Sequence, residues 1–346
     1  DQSFLIVGER TNANGSKQCR EYLLAGDYDG MVGMAREQAR EGAHVLDVCV
    51  DYVGRDGVAD VDEVVRRFVT QCTLPLVIDS TEVPVIETAL KRIGGRAVIN
   101  SVNLEDGDAG RPARIFPMAK RYGAAVVALL IDEEGQARTL DWKLKVAHRL
   151  HDLAVKRYGL EPSDLIFDAL TFPLSSGQEE LRKDGIATLE AIRRIKDELP
   201  GVFTILGVSN VSFGLKPAAR QVLNSVFLHL AIEAGLDAAI VNALRILPLH
   251  RIDPRQREVA RQLIFDERRD GYDPLTEFMG LFEKAGAGKT TVVSEVPRTL
   301  EERLKARIVE GEKPGLEPLL DEALRRHDPL TIINEILLDG MKAVGE

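Results

Sequence analysis

The sequence predicts an α/β chain, a (β/α)8 TIM barrel followed by a short all-α segment that forms part of a helical bundle. Three observations predict it. Eight short apolar runs each close on an acid or an amide, or one residue past it. A helix-length amphipathic segment follows each run, and beyond residue 299 the alternation stops and the pattern becomes purely helical. Continuous Val/Ile/Leu runs bounded by helices are the pattern of a parallel sheet buried on both faces. Eight such units close a barrel whose active site lies at the carboxyl ends of the strands.

The runs, in order, are Phe4–Glu9, His44–Asp51, Leu76–Ser80, Ala97–Ser101, Val126–Asp132, Leu165–Asp168, Thr204–Asn210 and Ala238–Asn242. Between them Val61, Val64, Val65, Phe68 and Val69 share one helical face, as do Leu189, Ile192, Ile195 and Leu199. Leu140–Tyr158 reads as one long helix with Leu144, Val146, Ala147, Leu150 and Leu153 facing the core. A helix near Arg255–Phe265 closes the barrel, and Asp266–Pro297, with glycines at 271, 280, 286 and 288, reads as an eighth helix plus a linker.

From Thr299 a capping-box pair, Thr299 and Glu302, opens a helix carrying Leu300, Leu304 and Ile308. A second helix carries Leu316, Leu319, Leu320, Ala323 and Leu324. A third starts at Asp328-Pro329, an N-cap followed by proline at the first helical position, and carries Ile332, Ile333, Ile336 and Leu337. The expected organisation is a barrel over 1–285, a linker over 286–298 and a helical segment over 299–346.

The 346 residues suit one barrel plus an appendage, and 45 Lys plus Arg against 55 Asp plus Glu give a formal charge of −10. That balance advertises no nucleic-acid or anionic-membrane surface. No apolar stretch approaches the ~20 residues of a membrane span, and no signal-peptide pattern opens the chain. The cysteines Cys19, Cys49 and Cys72 lack CxxC spacing, which suits a reducing cytoplasm and argues against a Cys-type zinc site.

The strand-end residues Glu9, Asp51, Asp79, Asn100, Asp132, Asp168, Asn210 and Asn242 are expected to ring one mouth. Taken singly, each reads equally well as a turn former or a helix cap. Together they lack a nucleophile-plus-base pair and a Schiff-base lysine. They are rich in acceptors and bifunctional amides, which suits holding a polar heterocycle such as an amino-pyrimidinone edge. The rival reading is an oxygen-ligated Mg²⁺ or Mn²⁺ site; no run ends in the His or Lys base that often accompanies one, and no metal site is assigned. His148 and His151 read as a surface pair on a helix outside the barrel, and His44 and Asp47 face opposite sides of a strand. The segment Ala285–Thr291 lacks the first glycine of a phosphate loop, position 283 being Glu, and reads as flexible linker. Lys216 and Arg220, just past the seventh strand, either complement helix ends or hold a carboxylate tail.

The blocks VGERTNANGS, VIDS, INSVN, ALLIDEEGQA, FDALTFPLSSG and GVSNVSFGLKPAAR, in this order across residues 4–250, resemble the pterin-binding (folate) module of the cobalamin-dependent methionine synthase family. The segment from Thr299 through PLTIINEILLDGMKAVGE looks like the start of the helical cap over methylcobalamin. The resemblance implies a piece of a larger enzyme that transfers the methyl group of 5-methyltetrahydrofolate to cob(I)alamin. The cobalamin is then carried by a domain outside this chain, which is also the module's expected protein partner, and zinc is expected only in the homocysteine module.

Carried over residue by residue, the resemblance places Asn12, Ala13 and Asn14 against the folate. Asp79, Asn100 and Asp168 then grip the pterin ring, and Asn210 lies near N5, with Asp168 as its neighbour in catalysis. Lys216 and Arg220 occupy the positions of basic residues; Lys216 replaces an arginine of some relatives, which removes a bidentate contact there. Two other pterin enzymes share the fold. A methyltransferase serving a corrinoid iron–sulfur protein would end near the barrel, and a dihydropteroate synthase would need a second-substrate site with its own basic loops.

Overall fold

The computed structural model describes residues 4–284, 299–310 and 316–338. The expected linker 286–298, the whole stretch 285–291 and the end of the helical segment lie outside the described residues.

Eight parallel strands close a barrel: β1 (Leu5–Gly8), β2 (Val45–Val48), β3 (Leu76–Asp79), β4 (Val98–Val102), β5 (Ala125–Leu129), β6 (Leu165–Asp168), β7 (Phe203–Gly207) and β8 (Ala238–Ile240). Each expected run overlaps one of them, with β4, β5 and β7 each reaching one residue outside their run. Alternation along the strands divides their side chains between two cores. Val7, Val45, Val77, Val127, Ile205 and Ala238 fill the inside of the barrel. Their neighbours Leu46, Val48, Ile78 and Ile99 point outward and pack under the helices. The inner apolar layer seals the barrel, so ligand chemistry has to lie above it, at the carboxyl ends.

The helices form where capping and periodicity place them. In α3 (Gly57–Gln71), Asp56 accepts the Val58 and Ala59 N–H groups at 3.1 Å, and Val61, Val64, Val65 and Phe68 are buried. The expected single helix Leu140–Tyr158 is instead α6 (Leu140–Asp152) followed by a wider π turn, Leu153–Arg157. There the Tyr158 N–H reaches back five residues to the Leu153 carbonyl, which keeps Leu153 and Ala154 buried. Within the stretch read as helix plus linker, α10 (Pro274–Lys284) is capped by Asp273, which accepts from Leu275 and Thr276 N–H, and Phe278 is fully buried. It follows α9 (Pro254–Ile264).

The capping box of the helical segment is formed as written in the sequence. Thr299 N–H donates to Glu302 Oε2 at 3.0 Å and Glu302 N–H to Thr299 Oγ1 at 3.1 Å. Asp328 likewise accepts from Leu330 and Thr331 N–H. Leu300, Leu304, Leu319, Ala323, Ile332 and Ile336 make a small core of their own, while Leu324, Leu330 and Ile333 stay exposed. One polar contact to the barrel is the Asn334 side-chain amide donating to the Val53 carbonyl at 3.2 Å.

Candidate functional site

Two residues above the sealing valine layer, the same inward parity brings up a polar layer. Asp47 follows Val45, Asp79 follows Val77 and Asn100 follows Val98, while Asp168 follows Ile166 and Glu9 lies just past Val7. Asp79 and Asn100 are direct register partners on β3 and β4, and Asp168 on β6 pairs with Leu129 of β5 and Ile205 of β7. The layer therefore draws on β1 to β4 and on β6, with Leu129 of β5 interrupting it between Asn100 and Asp168.

The loop after β1 is held tightly. A Cβ at Gly8 would meet Gln38 Oε1 at 2.6 Å, so glycine is needed for that side chain to pass. Gln38 in turn accepts from Arg10 N–H at 2.8 Å and donates to Thr11 Oγ1, which donates to the Asp47 carbonyl at 2.6 Å. This scaffold aims the Asn12 amide inward. Asn12 Nδ2 donates to Asp47 Oδ2 at 2.8 Å and Asp79 Oδ2 at 2.7 Å, and its Oδ1 accepts from the Asn14 and Gly15 N–H groups.

Asn14 is exposed, with its side chain against Cys49. Ala13, expected against the folate, is fully buried in the core, its N–H bonded to the Cys49 carbonyl.

A cavity of about 310 Å³ lies beside β6 and β7, lined by Gln136, Asp168, Thr171, Phe172, Gly207 and Asn210 among others. Asp168 Oδ1 accepts the Leu170 N–H at 2.8 Å. Asn210 sits on the 3-10 turn Val208–Ser212, exposed, its backbone carbonyl accepting from Phe213. A second cavity of about 430 Å³ lies beside β8 and β1, lined by Glu9, Ser209, Arg220, Asn242 and Arg245 among others. Arg220 reaches Ser212 Oγ at 3.3 Å and the Ser209 carbonyl at 3.4 Å. Lys216 is exposed at the start of α8 (Pro217–Glu233) and lines neither cavity.

Two members of the expected ring do local work instead. Asp51 accepts from Ser80 Oγ at 2.7 Å and Thr81 N–H at 2.9 Å, tying the loop after β2 to the loop after β3. Asp132 lies in a small hairpin, accepting from Glu134 N–H and Trp142 Nε1. Asn242 caps a turn by accepting from Leu244 N–H, and also lines the larger cavity.

Burial dominates the electrostatics. It pushes the Asp168 carboxyl up to about 6, against the opposing pull of the Leu170 N–H, the Lys143 ammonium and the Gly207 N–H. Asp79 is likewise raised to about 6 by burial, with Asn12 opposing and Asp51 reinforcing. Asp47 is raised well above the usual carboxylate range by burial and then by repulsion from Asp79. Glu9 is raised by burial, opposed by Arg245 and Arg220. Arg220 is itself lowered, by burial and then by its neighbour Arg245, with Glu9 opposing. At neutral pH the mouth thus offers Asp79 and Asp168 as partly desolvated carboxylates, strong acceptors for N–H donors. Among the described residues no group of three or more His, Cys, Asp or Glu side chains has the geometry of a metal site.

Sequence reasoning missed Asp47, Arg245, Gln136 and Phe172. The parity that places Val45 inside the barrel also places Asp47 there, and that signal was present in the run itself.

Comparison with known proteins bears on this mouth. A model described as pterin binding enzyme matches residues 8–242, and one described as B12 binding domain matches residues 300–346. Methionine synthase of Mycobacterium tuberculosis is 54% identical over 351 residues, covering 100% of this chain and 29% of that protein. Methionine synthase of Mycobacterium leprae is 53% identical over 349 residues, covering 99% of this chain and 29% of that protein. The chain therefore spans under a third of the length of these relatives. Among solved structures, Yersinia pestis DHPS with a pterine-sulfa conjugate superposes with a TM-score of 0.52 at 15% identity, covering 71% of this chain and 91% of that one, a likeness of fold alone. With the closed barrel, the polar layer at its mouth and a family match over 8–242, the chain belongs to the pterin binding enzyme family.

Proposed function

We propose that this chain is the folate-binding module of a cobalamin-dependent methionine synthase, which binds 5-methyltetrahydrofolate in the barrel mouth and donates its N5-methyl group to cob(I)alamin. The observation that carries this reading is the polar layer: Asp79 paired in register with Asn100, and Asp168 sharing a cavity with Asn210, above an apolar seal. The whole-length identity to two methionine synthases supports it, as does the B12 binding match at 300–346. We place the barrel at 1–285, the linker at 286–298 and the start of the cobalamin cap at 299–346.

In this reading Asp79 and Asp168 accept the N–H donors of the pterin's amino-pyrimidinone edge, and Asn100 supplies a donor and an acceptor together. Asn12 holds Asp79 in place. Asn210 faces N5. The departing N5 is a tertiary amine, so a proton or hydrogen bond there stabilises the leaving group as the methyl moves, and only contacts stronger in the transition state raise the rate. An amide does not ionise at neutral pH; Asn210 orients a proton delivered through water and stabilises protonated N5, with Asp168 beside it. The tail carboxylates of the folate turn toward the larger cavity, where Arg220 and Arg245 supply the positive charge.

Cob(I)alamin, brought by a domain outside this chain, supplies the nucleophile that takes the methyl group. The exposed Leu324, Leu330 and Ile333 of the helical segment offer the kind of apolar surface that a corrin face takes. Zinc belongs, in this reading, to the homocysteine module alone. The three cysteines are unpaired and no described helix is long and apolar enough to cross a membrane; we place the enzyme in the cytoplasm.

The test is to mix the chain with 5-methyltetrahydrofolate and exogenous cob(I)alamin and follow methylcobalamin by absorbance. Transfer supports the enzyme module. Tight folate binding without transfer leaves a binding module that acts only within its larger protein, and no folate binding contradicts both.

A further inference from the structure

Lys143 lies in the first turn of α6 and is completely buried, a rare state for a lysine. Its ammonium donates to the carbonyl of Ala169, the residue after Asp168. Nζ also lies 5.2 Å from the centre of the Phe172 ring, which lines the Asp168–Asn210 cavity. Arg138 covers that ring from 4.3 Å and is paired with Asp184 at 3.0 Å. The charged groups facing Lys143 are therefore Asp168 and Asp184 on the acidic side and Arg138 on the basic side.

A buried ammonium is costly unless it neutralises something. Asp184 already has Arg138, whereas Asp168 accepts only neutral backbone N–H groups among its close partners. Bonded to the carbonyl of the residue next to Asp168, the ammonium is placed to complement that carboxylate, and the same bond fixes the start of the segment that carries Thr171 and Phe172 to the cavity wall.

We propose that Lys143 is a positioning residue for the pterin site: from outside the cavity its buried charge faces Asp168 as a counter-charge, and its bond to the Ala169 carbonyl pins the Ala169–Phe172 wall. The proposal rests on the reading of this mouth as a reduced-pterin site, but it can fail separately, because the charge state of Asp168 is measurable without ligand.

The experiment is a pH titration of the Asp168 side-chain carboxyl carbon by NMR in the 13C-aspartate-labelled chain, with 5-methyltetrahydrofolate binding followed over the same pH range. In Lys143→Met the Asp168 midpoint should rise from about 6 by about one unit or more, and the lower pH limit of folate binding should rise with it. Lys143→Arg, which keeps the charge, should hold the midpoint near that of the parent chain. A merely structural lysine would lower stability in the Met variant without moving the Asp168 midpoint, and that result overturns the proposal. Should the Met variant not fold, the parent chain still decides. Burial brings Lys143 down to about 8, so the Asp168 carbon should show a second inflection there, and its absence overturns the proposal. Failure of the parent chain to bind folate, with the midpoint shift intact, would contradict the pterin reading and leave the electrostatic link standing.

Discussion

Asp47 and Asp79 share a single amide donor: Asn12 Nδ2 lies 2.8 Å from an oxygen of the first and 2.7 Å from an oxygen of the second. Two carboxylates converge on one N–H₂ group inside a barrel, and that group is the neutralising dipole between them. Asp47 Oδ1 has no partner, so the pair relies on Asn12. Asn12→Ala should therefore lower stability by about 1–3 kcal/mol, the range for buried acceptors that lose their donor. Urea denaturation at pH 7 checks this. An unchanged midpoint would mean that the two acids have found other partners.

Asp168 makes stability and binding oppose each other. Its folded pKa of about 6 stands above the ordinary 3.8, so the folded state holds this proton more tightly than the unfolded chain does. This preference is worth about 3 kcal/mol of stability, fully present below 3.8 and lost as pH rises through about 6. Asp168→Asn keeps an oxygen for the Leu170 N–H and removes the charge. The variant should be more stable than the parent at pH 8, by up to about 3 kcal/mol, with the gain vanishing at pH 3, and should bind folate more weakly. Equal stabilities at pH 8 would show that the carboxylate is not desolvated as its burial implies.

Asp79 faces the mouth from β3, in register with Asn100 of β4. Asp79→Ala should weaken pterin binding by ~1.5–3 kcal/mol, the range for a charge-assisted hydrogen bond. Calorimetric titration with 5-methyltetrahydrofolate measures it, and an unchanged dissociation constant removes Asp79 from the contact set.

Asn210 differs from these acids in being exposed on a turn, held through its backbone. Asn210→Ala should leave stability within about 0.5 kcal/mol. It should lower the rate of methyl transfer to cob(I)alamin far more than it lowers folate affinity. Equal losses in both would make Asn210 a plain binding residue.

The barrel was legible because buried parallel strands have nowhere to place polar residues except their ends, so runs such as Leu76–Asp79 and Leu165–Asp168 announce themselves. The capping box at Thr299 and Glu302 was legible for a similar reason, being a local motif that owes nothing to the rest of the fold. What hid was set by parity and by distant partners. Asp47 lies inside its run, not at its end, and Asp51, which does end it, turns away to Ser80 and Thr81. Arg245 comes to the mouth because a 3-10 turn after β8, capped by Asn242, carries it there. Ala13 was expected at the ligand on resemblance alone, and the packing of the loop after β1 buries it.

The central claim is that this mouth holds a reduced pterin by its carboxylates. Its most direct test is a calorimetric titration of 5-methyltetrahydrofolate into the parent chain and into Asp79→Ala/Asp168→Ala at pH 7.5. The account predicts one site per chain in the parent and its loss in the double variant. Binding of equal strength to both, or none to the parent, would contradict it.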